Sequence, residues 1–163
     1  MHHTLVALVE DKPGVLERVA SQFRRRAFNI ESLTVGRTAP GISCMTIVVD
    51  SDKTSVDKVV AALNKLINVL QIEDLGDRGA LERDMVLVKV ASSNGNGDAI
   101  RRVVEGGQGR IVAKGDRTMT IEITGEPSQI DGVLRQLEEI GIVEMARSGP
   151  VALARGDDTI NQQ

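Results

Sequence analysis

Residues 4–23 read TLVALVEDKPGVLERVASQF, and this stretch decides the fold. Thr4 to Val9 is a short, nearly continuous apolar run of strand length. Glu10-Asp11-Lys12-Pro13-Gly14 is turn chemistry. Val15, Leu16, Val19, Ala20, Phe23 and Ala27 then recur at helical spacing, with Glu17, Arg18, Gln22 and Arg24 to Arg26 on other faces. A strand that hands over to an amphipathic helix through so short a turn begins a βα unit, and the rest of the chain is read outward from it.

Asn29 to Arg37 and Ile42 to Asp50 read as strands joined by the hairpin chemistry of Thr38-Ala39-Pro40-Gly41. Ser51 to Ser55 supplies helix-start residues, and Thr54 with Asp57 has capping-box spacing. Val56, Val59, Val60, Leu63, Leu66 and Ile67 form the stripe of a second helix, and Val69 to Leu75 closes the unit as a strand. After Gly76-Asp77-Arg78-Gly79 the order repeats. Met85 to Ala91 is a strand and Ser92 to Asp98 a polar loop. A short helix contains Ile100, Val103 and Val104 and stops at Gly106-Gly107-Gln108-Gly109. Arg110 to Ala113 and Met119 to Thr124 are strands, and Pro127 opens a helix striped by Ile130, Val133, Leu134, Leu137 and Ile140. Ile142 to Ala146 is the last strand. The pattern predicts an α+β chain of two tandem ferredoxin-like βαββαβ domains, at 1–76 and 83–154, with a linker at 77–82 and a frayed polar tail at 155–163. Each sheet then has one face without helices, and its apolar strands predict face or edge pairing between domains or subunits.

Composition narrows the function. The 163 residues include two Phe, no Tyr and no Trp, so a base-stacking platform or an aromatic cage cannot be built. Lys and Arg number 20 against 23 Asp and Glu, a net charge of −3, which argues against a phosphate-backbone partner. The apolar run at the N-terminus is too short for a signal-peptide core or a membrane span. A single cysteine, Cys44, fits a reducing cytoplasmic setting and reads as a buried, inert thiol. The only histidines, His2 and His3, sit at the terminus and read as ordinary polar residues, leaving no histidine for a catalytic triad or a metal site.

Two segments attract a binding role. At Asp11 to Leu16, Pro13 presets the first helical turn and Gly14 admits a close neighbour. The amides near Gly14, Val15 and Leu16 lack intrahelical acceptors and suit a small carboxylate. Asp11 suits either a helix cap or an ammonium partner, and a plain strand-to-helix turn accounts for the same residues. Asn29, after the first helix, reads equally as a left-handed helix-end residue or a ligand contact. Arg24-Arg25-Arg26 reads first as a solvated face and second as a partner contact. The glycines at Gly95, Gly97, Gly106, Gly107 and Gly109 match neither a P-loop nor a dinucleotide fingerprint, and read as loop and helix-stop residues.

Several segments carry a resemblance. They are Glu10 to Leu16, Phe28-Asn29-Ile30-Glu31-Ser32-Leu33-Thr34-Val35, Met45 to Val48, Leu63 to Val69, Leu87 to Val90, Ala146 to Gly149 and Ala152 to Gly156. Together they resemble the acetolactate (acetohydroxyacid) synthase small-subunit family, whose N-terminal domain is an ACT domain. The chain departs from that pattern at Cys44, where a basic residue is common, and at Gly106 to Gly109, where the family carries a phenylalanine-containing segment.

The resemblance implies a non-catalytic regulatory subunit without cofactors of its own. Thiamine diphosphate, magnesium and FAD would belong to the large catalytic partner. It implies a homodimer through ACT domains and feedback inhibition by a branched-chain amino acid, valine. That effector would lie between Asp11, Gly14, Val15 and Leu16 of one subunit and Asn29 and Ile30 of the other. A stand-alone tandem ACT sensor acting on another enzyme is the nearest alternative. An acylphosphatase-like hydrolase shares the topology, but Glu10 and Asp11 would repel a phosphate in its anion loop.

Overall fold

The computed structural model describes residues 2–76, 79–93 and 95–160. The chain groups into two units: 1–81 together with 151–163, and 82–150. Asp77 and Arg78, the first two residues of the expected linker, lie outside the described residues.

The first unit contains β1 (His2–Glu10), α1 (Val15–Arg24), β2 (Ile30–Ala39), β3 (Ile42–Asp50), α2 (Lys53–Leu63) and β4 (Val69–Asp74). Its antiparallel sheet has the order β2-β3-β1-β4, the ferredoxin-like arrangement. Alternation along β1 sends Leu5, Ala7 and Val9 toward the helices. There they meet Met45, Ile47 and Val49 of β3, Val15, Val19 and Phe23 of α1, and Val56, Val59 and Leu63 of α2. The chain's two phenylalanines lie edge to face, Phe23 against Phe28, with centroids 6.2 Å apart.

Several local expectations are corrected. Pro13 is not inside the helix, because Gly14 is its N-cap, with φ 82°. The left-handed residue after α1 is Ala27, φ 55°, and not Asn29. Asp52, not Thr54, caps α2 by accepting the Ser55 N–H at 2.9 Å. The helix stops at Leu63, so Leu66 and Ile67 lie beyond it and Ile67 is 85% exposed.

His3 departs most from its reading as a polar terminus. It points to the helix side of the sheet, 1% exposed, with Nδ1 2.8 Å from Asp74 Oδ2. Lys53 Nζ donates to the same oxygen at 2.7 Å, and the Gly76 N–H donates to Oδ1 at 3.0 Å. Burial pushes the Asp74 carboxyl up, but the bonds from Lys53, Gly76 and His3 outweigh it and hold the group below its ordinary value of 3.8. A carboxylate with a depressed folded pKa stabilises the fold above its unfolded pKa and loses that contribution as the pH falls through the folded one. Asp74→Asn is therefore expected to cost about 2 kcal/mol near neutral pH, read by urea denaturation. The gap from wild type should stay level above about pH 5 and shrink as acid protonates Asp74. A gap of the same size down to about pH 2 would contradict this assignment.

The face of this sheet away from the helices is covered in part by the chain's own last segment. Ala152, in β9 (Val151–Leu153), packs with Val6 and Leu75, and Cys44, Ala80, Ala154 and Ile160 surround them. Ile160 is thus held, although composition reads the tail as frayed. Cys44 is half-buried here, and burial pushes its thiol pKa up.

The second unit runs through β5 (Leu81–Ala91), α3 (Gly97–Gly106), β6 (Arg110–Lys114), β7 (Thr118–Gly125), α4 (Pro127–Ile140) and β8 (Ile142–Arg147), in sheet order β6-β7-β5-β8. Val86, Val88 and Val90 face Ile100, Val104, Ile130, Val133 and Leu137 from the helices. The opposite face is more polar than expected. It carries the pairs Lys89–Glu144 at 3.0 Å and Arg110–Glu122 at 2.7 Å beside partly exposed Met85 and Leu87. The glycine stretch after α3 also reads differently in three dimensions. A Cβ on Gly107 would fall 2.5 Å from Val133 Cγ2, and one on Gly109 would fall 3.0 Å from Ile123 Cγ1. These two glycines serve close packing, while the left-handed turn is made by Gln108, φ 54°.

Candidate functional site

The turn between β1 and α1 is fixed from three sides. The Glu10 N–H donates to the Asn68 carbonyl and the Asp11 N–H to the Gly41 carbonyl, both at 2.9 Å. The Asn68 side chain donates to Glu10 Oε2 and accepts from Arg18 Nη1, each at 2.7 Å, tying the end of β1 to α1 and to the loop before β4. Hydrogen bonds from Lys12 and Asn68 hold the Glu10 carboxyl below the usual range. Arg37, near the end of β2, donates through Nε to Asp11 Oδ2 at 2.6 Å.

That geometry leaves the start of α1 open. Gly14 places no side chain over it, and no side chain caps it. Among the described residues no acceptor meets the Leu16 and Glu17 amides. Val15 is buried in the core, whereas Leu16 is 45% exposed. With Arg37 already on Asp11, Asp11 is neither the helix cap nor an uncommitted ammonium partner.

Asn29 and Ile30 lie at the other end of α1. They line an open groove of about 550 Å³ with Ala20, Phe23, Arg24, Ala27 and Phe28. Ten helical residues separate the two segments, about 15 Å along the axis. One copy of the chain therefore brings Asp11, Gly14, Val15 and Leu16 together, and separately Asn29 and Ile30, but does not join the two sets. Sequence reading missed Arg37 and Asn68 as organisers of the turn. Asn68 lies inside a segment that carries the family resemblance, while nothing in the spacing links Arg37 to Asp11.

Among the described residues, no helix is long and apolar enough to cross a membrane. Residues 5–71 match the family model described as an AHAS small subunit-like ACT domain, and residues 83–156 match the one described as the small subunit of acetolactate synthase. A probable acetolactate synthase small subunit of Methanothermobacter thermautotrophicus is 42% identical over 97% of this chain and 95% of its own. An acetolactate synthase small subunit of Mycobacterium bovis is 43% identical over 94% and 92%. The crystal structure of the acetolactate synthase small subunit from Thermotoga maritima superposes with a TM-score of 0.87 at 33% identity, covering 97% of this chain and 99% of that one. With two ferredoxin-like units, both family models and relatives matched nearly end to end, this chain belongs to the acetolactate synthase small (regulatory) subunit family, its first unit being the ACT domain.

Proposed function

We propose that this chain activates the large, thiamine-diphosphate-dependent subunit of acetolactate synthase in the cytoplasm and makes it sensitive to valine, bound between two paired ACT domains. The observation that carries the effector site is the position of β2. It is an edge strand of ten residues, and an edge of that length presents unpaired backbone groups as a template for another strand. Asn29 and Ile30 stand at its beginning, and Arg37, holding Asp11, stands near its end. Two copies pairing through β2 about a two-fold axis normal to the sheet run antiparallel, so the beginning of one strand meets the end of the other. The two half-sites separated within one chain thereby come together, twice per dimer.

The chemistry of the halves is complementary. The Leu16 and Glu17 amides and the positive end of α1 suit the effector carboxylate. Asn29 supplies an oxygen for the ammonium group, a role that Asp11, paired with Arg37, no longer offers freely. Ile30, Phe28 and Ala27 give an aliphatic and ring-edge wall for a branched side chain. Inhibition then requires valine to favour one arrangement of the paired domains over another. Reconstitution with the large subunit tests the reading: the chain is expected to raise acetolactate formation, and valine to lower it again. A mixture that forms no complex and shows no activation would refute it.

A further inference from the structure

We propose that the groove between α1 and α2 of the ACT unit receives an acidic face of the large catalytic subunit; this rests on the regulatory-subunit reading above. The groove, about 470 Å³, is lined by Gln22 and Arg26 from the α1 side and by Lys58, Ala61, Ala62, Lys65 and Leu66 from the α2 side. Lys58 lies on α2 and Lys65 just beyond its end, with two alanines as a low floor between them. Arg26, the last member of the arginine run, is laid along α1 by bonds from Nη1 to the Gln22 carbonyl and to Gln22 Oε1 at 3.2 and 3.1 Å.

Three exposed cations meet here on a chain whose net charge is −3, and among the described residues none of them forms an ion pair. The nearby acids of α2 offset these cations only in part. Asp52 caps the helix through Ser55 and feels the Lys58 charge without pairing with it, and Asp57 lies 3.7 Å from Lys53. A free small anion is poorly served by cations on long, solvated stems beside the carbonyl ends of two helices. A protein face that delivers several carboxylates together, over a floor low enough to admit close contact, uses all three at once. Most of the groove belongs to α2, which packs toward β4, the sheet edge opposite β2. Pairing through β2 therefore leaves one such groove open on each copy.

The test is charge reversal at Arg26, Lys58 and Lys65, all to Glu, in the full chain. The concentration giving half-maximal activation of the large subunit is expected to rise at least about tenfold. Valine binding by the small subunit alone should be unchanged. Lys58→Glu by itself, at an exposed helix position, should raise that concentration about threefold and guards against a triple variant that fails to fold. Added salt should weaken association of the wild type more than that of the corresponding triple Gln variant. Binding is read by co-sedimentation, separately from activity. A wild type that binds without activating overturns the regulatory reading, while loss or retention of binding in the variant still decides the groove. Unchanged association of both Glu variants overturns the proposal. So does unchanged activation by the triple variant when inorganic phosphate shifts the NMR signals of Ala61 and Ala62 in the wild type and not in that variant, which would mark a small-anion site.

Discussion

Replacing Gly14 by aspartate is expected to abolish inhibition by valine while leaving activation of the large subunit in place. Gly14 adopts φ 82°, and a Cβ added there meets nothing within 4 Å in its own chain. Aspartate is among the residues that tolerate the left-handed region best, so the turn survives. Its carboxylate would stand in front of the Leu16 and Glu17 amides, where it competes with the effector carboxylate and repels it. Loss of one charge-assisted contact costs about 1.5–3 kcal/mol, and repulsion adds to it. The concentration of valine for half inhibition should therefore rise about a hundredfold or more. Gly14→Ala is the control, carrying the backbone strain without the charge, and should shift valine sensitivity much less. Equal sensitivity in wild type and Gly14→Asp would remove the start of α1 from the site.

Arg147→Ala is expected to be the most destabilising single change outside the hydrophobic cores. Asp84 is almost fully buried, its side chain 1% exposed, and Arg147 Nε donates to its Oδ2. The same guanidinium reaches Asp131 Oδ1 on α4 at 2.6 Å, while the Ser148 hydroxyl lies 3.1 Å from Asp84 Oδ1 and accepts the Met85 N–H at 3.1 Å. One arginine thus ties β8 to β5 and α4. Its removal strands a buried carboxylate, a loss of about 3–5 kcal/mol; with Arg147 itself one-third exposed, about 3 kcal/mol is expected. For a unit of this size that corresponds to a fall of roughly 10 °C or more in Tm by calorimetry. Adding Asp84→Leu should restore much of the loss, because the stranded charge is then gone. A fall of only a degree or two would show that water already shares the pair.

The architecture was legible because its signal is local and periodic. Val15, Val19 and Phe23 announce α1, and a short continuous apolar run announces β1, without knowledge of what they pack against. Where packing partners decide, reading failed. Ile67 continues a helical stripe in sequence, but the chain turns at Asn64 and carries it into solvent. His3 looked like a polar terminus because Asp74 and Lys53, its reason for burial, are more than forty residues away. The short β9 was missed because its burial depends on Val6 and Leu75, not on any pattern of its own. The two halves of the candidate site were legible as residues, Asp11 to Leu16 and Asn29 to Ile30. The Arg37 contact that occupies Asp11 was not, since it depends on the end of β2 returning beside the end of β1.

The return of Val151 to Ile160 onto the first unit also bears on how the protein is made. The whole second unit lies between Val6 and Ala152 in sequence, so a ribosome completes the ACT sheet well before it supplies its cover. Until then Val6, Cys44 and Leu75 stay open on the nascent protein, a surface to which chaperones or other unfinished chains can attach. A chain without Val151 to Ile160 would leave that surface open. Closure of the first domain thereby waits on synthesis of the second, and each finished ACT sheet reports that both have been made.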